Sequence, residues 1–157
     1  MKTIVIMRHS KADKTGNYTD FERPLTQQGI KDAKSVAKKL AKMNFSPQKV
    51  FVSSALRTTQ TAQIISKKLY FDEPLTFCDD FYNGNIDNYF TAILSANNDF
   101  KNILLIGHNP TCEDIVYELT GKSIELKTSS SVVMKFETND WTNCLKMKPK
   151  EFFLIEK

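Results

Sequence analysis

An α/β domain is the fold class this sequence predicts, and three observations predict it. Short apolar runs alternate with stretches of helical periodicity along the whole chain. No internal repeat, low-complexity tract or Pro/Gly/Ser-rich linker interrupts that alternation. The length, 157 residues, suits one domain and is enough to bury a real core without disulfides or metals.

The elements follow in order. Thr3 to Met7 reads as a buried strand, followed by a polar loop from Ser10 to Pro24. Thr26 can cap a helix in which Ile30, Ala33, Ala37, Leu40 and Ala41 recur at helical spacing. Lys49 to Ser53 reads as a second short strand. Leu56 to Leu69 reads as a helix with Ala62, Ile65 and Leu69 on one side. Ile86 to Ala96 predicts another helix. Asn102 to Ile106 predicts a third strand, and Pro110, at a first helical turn, opens a helix to about Leu119. Beyond Gly121, the alternation in Val132 to Phe136, Cys144 to Met147 and Phe152 to Ile155 predicts late strands.

Composition narrows the function classes. Hydrophobic residues make up 41% and charged residues 25%, ordinary values for a water-soluble globular chain. The longest apolar runs, Ile4 to Met7 and Ile103 to Ile106, fall far short of the roughly 20 residues that a membrane span needs. The amino-terminal stretch is too brief for a signal peptide, so the cytoplasm is the expected location. Cys78, Cys112 and Cys144 are far apart and form no C-x-x-C pair. Neither a disulfide framework nor a zinc site is indicated, and each reads as a small buried apolar residue. The net charge of +4 is mild, and Lys31, Lys34, Lys38, Lys39 and Lys42 look like a solvated helix face rather than a nucleic-acid surface.

One asymmetry is sharper. The chain holds nineteen lysines but only three arginines, Arg8, Arg23 and Arg57, and only two histidines, His9 and His108. Arginine offers a planar fork that binds phosphate or carboxylate through two parallel hydrogen bonds, which lysine cannot do. His9 and His108 each stand at the carboxyl end of an apolar run, just before a loop. In open α/β sheets that edge is where ligands bind. If the two strands are neighbours, both imidazoles face one crevice. Arg57 lies just past a short strand at the start of a helix, where free N–H groups and the helix dipole already favour an anion. Arg23, in Phe21-Glu22-Arg23-Pro24-Leu25, can serve a ligand or can pair with Glu22 or Asp20.

Together these residues describe a pocket for a tetrahedral dianion. Phosphoryl transfer asks the protein for an in-line nucleophile and positive charge around the equatorial oxygens. A neutral imidazole can attack through one nitrogen while the other is hydrogen-bonded to fix the tautomer. The imidazole takes the phosphoryl group, the leaving group departs, and water hydrolyses the phosphohistidine. No metal or other cofactor is expected, since two histidines without neighbouring carboxylate or thiolate ligands make a poor metal site.

Arg8-His9 after a strand, Arg57 before a helix, and Gly107-His108-Asn109-Pro110 resemble the histidine phosphatase superfamily with its R-H motif. Arg23-Pro24-Leu25-Thr26 followed by Gly29, with the short length, resembles the phosphohistidine phosphatase branch named SixA. The resemblance runs over most of the chain in order and spacing. It implies a single three-layer α/β domain over residues 1–157, with a mostly parallel central sheet flanked by helices. It also implies His9 as nucleophile, Arg8, Arg57 and His108 as the phosphate pocket, and Arg23 as a further phosphate contact. The substrate it implies is phosphohistidine on a signalling phosphotransfer protein.

The sequence departs from the family pattern twice. Ser10 stands where the motif commonly has glycine, so it can donate a further hydrogen bond or simply occupy the turn. Larger relatives carry a glutamate general acid in mid-chain, and none matches in Cys78 to Asn85. Asp79 and Asp80 are the candidates there, against a reading as surface aspartates near a turn. A phosphate monoester leaves as an alkoxide and gains typically ~10²–10⁴ in rate from a proton donor. A phosphoramidate leaves through a nitrogen that is easily protonated beforehand, so the missing acid agrees with phosphohistidine. The chain also looks too short for the helical segments that cover the site in larger relatives, which leaves room for a side chain displayed on another protein. The competing expectations are a phosphatase for small monoesters and a non-catalytic phosphate-binding module. The run Thr128 to Ser131 can offer hydroxyls to the pocket, but reads more simply as a polar turn.

Overall fold

The computed structural model describes all residues 1–157. Its strands are β1 (Lys2–Arg8), β2 (Lys49–Ser53), β3 (Thr76–Cys78), β4 (Asn102–Gly107), β5 (Ser131–Phe136) and β6 (Glu151–Ile155). Its helices are α1 (Gln27–Lys42), α2 (Leu56–Lys68), α3 (Ile86–Ser95), α4 (Thr111–Thr120) and the short α5 (Trp141–Cys144). The strands form one sheet in the order β3-β2-β4-β1-β5-β6. β3, β2, β4 and β1 run parallel, while β5 and β6 are antiparallel to their neighbours.

The central strands are apolar without interruption because both their faces are covered. Alternate residues serve opposite sides. Ile4 and Ile6 of β1 pack with Ile103, Leu105 and residues of α3, α4 and α5. Val5 and Met7 pack with Leu104, Ile106 and residues of α1 and α2. Helix–sheet–helix layering follows from that period of two. No helix is long and apolar enough to cross a membrane.

Local chemistry sets the helix ends. The Thr26 side chain accepts from the Gly29 N–H at 2.9 Å, capping α1 as expected. Pro110 occupies the N-cap of α4, and Gly121 closes that helix at φ +76, a conformation glycine adopts without strain.

Two elements differ from expectation. Cys144 to Met147 is not a strand: α5 ends at Cys144 and a turn follows. Asp140 caps α5 by accepting from the Thr142 N–H, and fully buried Trp141 donates its Nε1–H to the Asn97 carbonyl. Leu145 and Met147 pack on the same core from the turn, which produced the misleading alternation. β3 was not anticipated because it is three residues long and its central Phe77 is exposed on the sheet edge. Cys112 and Cys144 are buried and Cys78 half-buried, all three as free thiols. Burial pushes the Cys78 thiol up to about 11 and the other two to about 12, so all three are inert apolar groups.

Candidate active site

β1 and β4 are adjacent and parallel, with Arg8 paired to Gly107 at their carboxyl ends. The next residue of each strand is therefore His9 and His108. The His9 N–H donates to the Gly107 carbonyl at 3.0 Å, which locks the two strand ends together. The imidazole centroids are 5.4 Å apart. The expectation that both histidines face one crevice holds, and the sheet order is its cause.

His9 is buried, and its Nδ1 lies 2.7 Å from the Ser10 carbonyl. A carbonyl only accepts, so Nδ1 carries the proton and Nε2 keeps its lone pair. Arg57 Nε donates to that lone pair at 3.3 Å. Burial, with lesser effects from His108, Arg57 and Arg8, lowers the His9 pKa to about 3, although the Ser10 carbonyl acts in the opposite direction. Burial and Arg57 lower His108 to about 4. Both rings are neutral near pH 7. His108 Nε2 and Ser53 Oγ share a hydrogen bond of 2.7 Å, and its backbone N–H donates to Tyr89 Oη at 3.3 Å.

A cleft of about 520 Å³ opens over these rings, and Arg8, His9, Arg23, Arg57 and His108 all line it. Arg57 enters from the first turn of α2, Arg8 from the end of β1, and Arg23 from the loop ahead of α1. Arg8 Nη1 donates to the Leu126 carbonyl at 3.1 Å, while its buried Nε has no protein partner, and neither has His108 Nδ1. Buried polar atoms without partners are costly, and an oxyanion would satisfy the arginine donor. A larger depression of about 910 Å³ lies between α1 and α2, but it contains neither histidines nor arginines.

Asp20, Tyr82, Asn109 and Asp114 also line the cleft, and sequence reasoning did not assign them there. Asp20 receives Arg23 Nε at 3.1 Å, Arg57 Nη2 at 3.2 Å and the Tyr82 hydroxyl at 2.5 Å. The Tyr82 hydrogen bond first, then Arg57 and Arg23, hold its carboxyl at about 2, below the usual carboxylate range. The Arg23–Asp20 alternative is thus realised while Arg23 still faces the cleft. The signal in the sequence was their separation by three residues, which one helical turn brings together.

Other candidates fall elsewhere. Asp79 accepts from Ser54 Oγ and Asp80 from Asn88 Nδ2, and neither lines the cleft. Ser10 Oγ donates to the Gly29 carbonyl at 2.5 Å, so it fixes the turn to α1 instead of facing the cleft. Thr128 to Ser131 line no part of it. Their backbone holds the loop that carries His9, with the Ser129 N–H donating to the His9 carbonyl at 2.9 Å and the Ser130 carbonyl accepting from the Arg8 N–H at 3.0 Å.

Residues 4–89 match the family model of the histidine phosphatase superfamily (branch 1), which is more than half of the chain. The chain belongs to the histidine phosphatase superfamily. An uncharacterised chloroplastic protein of Arabidopsis thaliana is 27% identical over 150 residues, covering 89% of this chain and 69% of the relative. Among solved structures, the protein histidine phosphatase SixA complexed with tungstate superposes with a TM-score of 0.84 at 22% identity, covering 98% of this chain and 96% of that one. The protein assigned as the phosphohistidine phosphatase SixA of Agrobacterium tumefaciens gives 0.80 at 23% identity, with 97% of each chain covered. These likenesses establish the fold of this member of the superfamily, in which the two histidine-bearing strand ends lie side by side.

Proposed function

We propose that the chain is a phosphohistidine phosphatase acting through a phosphoryl group carried on His9 Nε2. The observation that carries the reading is the tautomer of His9: its Nδ1–H is held by the Ser10 carbonyl, leaving Nε2 as a lone pair in a cleft of three arginines. In this reading Arg8, Arg57 and Arg23 bind the equatorial oxygens, and His108, tethered to Ser53, completes the phosphate pocket. Asp20, the carboxylate most tightly bound within the cleft, is ionised, which makes it unsuited to protonating an alkoxide leaving group. An Asp20 that donates no proton agrees with a nitrogen leaving group, which needs no dedicated acid. The likeness to SixA supports a phosphorylated protein, of the phosphotransfer kind, as the partner that presents it. The cytoplasmic setting expected from the sequence is part of the same proposal.

Labelled phosphohistidine protein and a panel of sugar phosphates, assayed side by side, test the substrate. Faster turnover of the small esters would return the reading to the monoester alternative. Rapid quenching without acid should trap label on the wild-type chain and none on His9→Ala. Absence of a covalent adduct in the wild type overturns the His9 mechanism, and absence of turnover as well leaves the phosphate-binding module.

A further inference from the structure

Two carboxylates line the cleft, Asp20 and Asp114, and of these Asp20 is the one bound to the arginines, a placement that a phosphate pocket by itself would not favour. Asp20 faces the same site as three arginines and would repel an incoming dianion. It nevertheless has a fixed place there, held by Arg23, Arg57 and the Tyr82 hydroxyl. Its side chain is 56% exposed, whereas that of Arg57 is 7% exposed. Asp20 therefore marks the mouth of the cleft and the buried His9 marks its floor. In an in-line displacement the leaving atom lies opposite the nucleophile. A leaving group expelled from a phosphoryl group seated on His9 Nε2 emerges on the Asp20 side.

We propose that Asp20 accepts the free ring N–H of the N-phosphorylated imidazole that the substrate presents, and so makes the site selective for phosphohistidine over phosphate esters. The inference rests on the phosphohistidine reading above. A phosphoimidazole with a proton on its second nitrogen carries a positive charge on the ring, and its P–N bond is weakened. In the step, His9 Nε2 forms a bond to phosphorus and the substrate P–N bond breaks, its electron pair passing to the departing nitrogen. The product imidazole is neutral and keeps its second proton, so no general acid is consumed. His9 becomes the phosphorylated ring, with its own Nδ1–H still on the Ser10 carbonyl. The two rings exchange roles: each has its non-reacting N–H on an oxygen acceptor, Ser10 for the enzyme and Asp20 for the substrate. An ionised carboxylate has about four lone-pair directions, and the protein uses three. Tyr82 adds an aromatic wall at the same rim, its ring edge-on to His108 at 5.6 Å.

The competing role is orientation of Arg23 and Arg57 alone, and substrates separate the two. N-phosphoimidazole, its N-methylated analogue lacking the ring N–H, and p-nitrophenyl phosphate are compared on wild type, Asp20→Asn and Asp20→Ala. Loss of one charge-assisted hydrogen bond should lower kcat/KM for phosphoimidazole roughly 10- to 100-fold in both variants. Release of Arg23 and Arg57 lowers turnover of the aryl ester too, so the loss on phosphoimidazole should exceed the loss on the ester by roughly 10-fold. Wild type should prefer phosphoimidazole to the methylated analogue by a similar roughly 10- to 100-fold factor, and Asp20→Ala, which has no acceptor, should lose that preference. Equal losses on phosphoimidazole and aryl ester, or no wild-type preference over the methylated analogue, overturn the role of Asp20 while leaving the phosphohistidine reading intact. Wild-type turnover of the aryl ester without turnover of phosphoimidazole defeats that reading, and the Asp20 role falls with it.

Discussion

Arg57 Nε donates to His9 Nε2 across 3.3 Å, so in the resting site the guanidinium covers the lone pair assigned to attack phosphorus. Its other two nitrogens reach the Asp20 carbonyl at 2.7 Å and the Asp20 carboxylate at 3.2 Å. A phosphoryl group arriving on His9 must draw the fork from the imidazole to its own oxygens. Lysine can supply the charge but not the planar set of donors. Arg57→Lys should therefore lower kcat/KM by roughly 10²–10³, the effect of removing one preorganised oxyanion donor. Steady-state kinetics, with inorganic phosphate inhibition weakened in parallel, checks this.

The histidines also make stability depend on pH. The folded His9 pKa is about 3 and the ordinary value is 6.5. Between those values the unfolded chain binds the proton and the folded chain does not. Stability is complete above about pH 6.5 and is lost as pH falls toward 3, with a limiting slope of about 1.4 kcal/mol per pH unit. His108 acts in the same direction between 6.5 and about 4. Denaturant unfolding at a series of pH values should show the two contributions summed in the wild type, up to about 2.7 kcal/mol per pH unit between about 4 and 6.5, and about half of that in His9→Asn. Phosphoenzyme formation should show no loss centred at 6.5 on acidification, since His9 does not titrate there.

Much of this site was legible because its residues sit at strand ends. A buried parallel strand must be apolar on both faces, so Ile4 to Met7 and Ile103 to Ile106 announced themselves, and the histidines after them followed. The rarity of arginine exposed Arg8, Arg23 and Arg57 in the same way. Asp20 was legible only as a partner of Arg23 and Tyr82 not at all, because the two meet only when the loop ahead of α1 meets the turn ahead of α3 across 62 residues. α5 was misread because four residues are too few to show a helical period, and its cap depends on Asp140 alone. A single aspartate before a tryptophan is a weak signal in a polar stretch.

Ser10 tests the difference between a pocket donor and a structural one. Its Oγ donates to the Gly29 carbonyl and its N–H to Thr61 Oγ1 at 3.0 Å, joining the loop that carries His9 to α1 and α2. Ser10→Ala should cost about 1–3 kcal/mol of stability, because the buried Gly29 carbonyl loses that donor. kcat should stay within about 3-fold, since the hydroxyl does not face the cleft. Thermal unfolding and initial rates on one preparation separate the two effects.

Gly107 offers the strictest test of how the core places His108. A methyl group there would lie 2.0 Å from Tyr89 Oη and 2.7 Å from Tyr89 Cε2. Tyr89 cannot yield, because it is fully buried and stacked on Phe81 with ring centroids 3.8 Å apart. Its hydroxyl also receives the His108 N–H, so displacing the ring releases the backbone that carries the second histidine. Gly107→Ala should destabilise by about 1–3 kcal/mol through overpacking and should also lower kcat/KM. Tyr89→Phe removes the nearest atom of the clash, so the glycine substitution should cost less in that background than in the wild type. A double-mutant cycle from denaturant midpoints measures this coupling, and additive costs would show that Tyr89 does not set the constraint on Gly107.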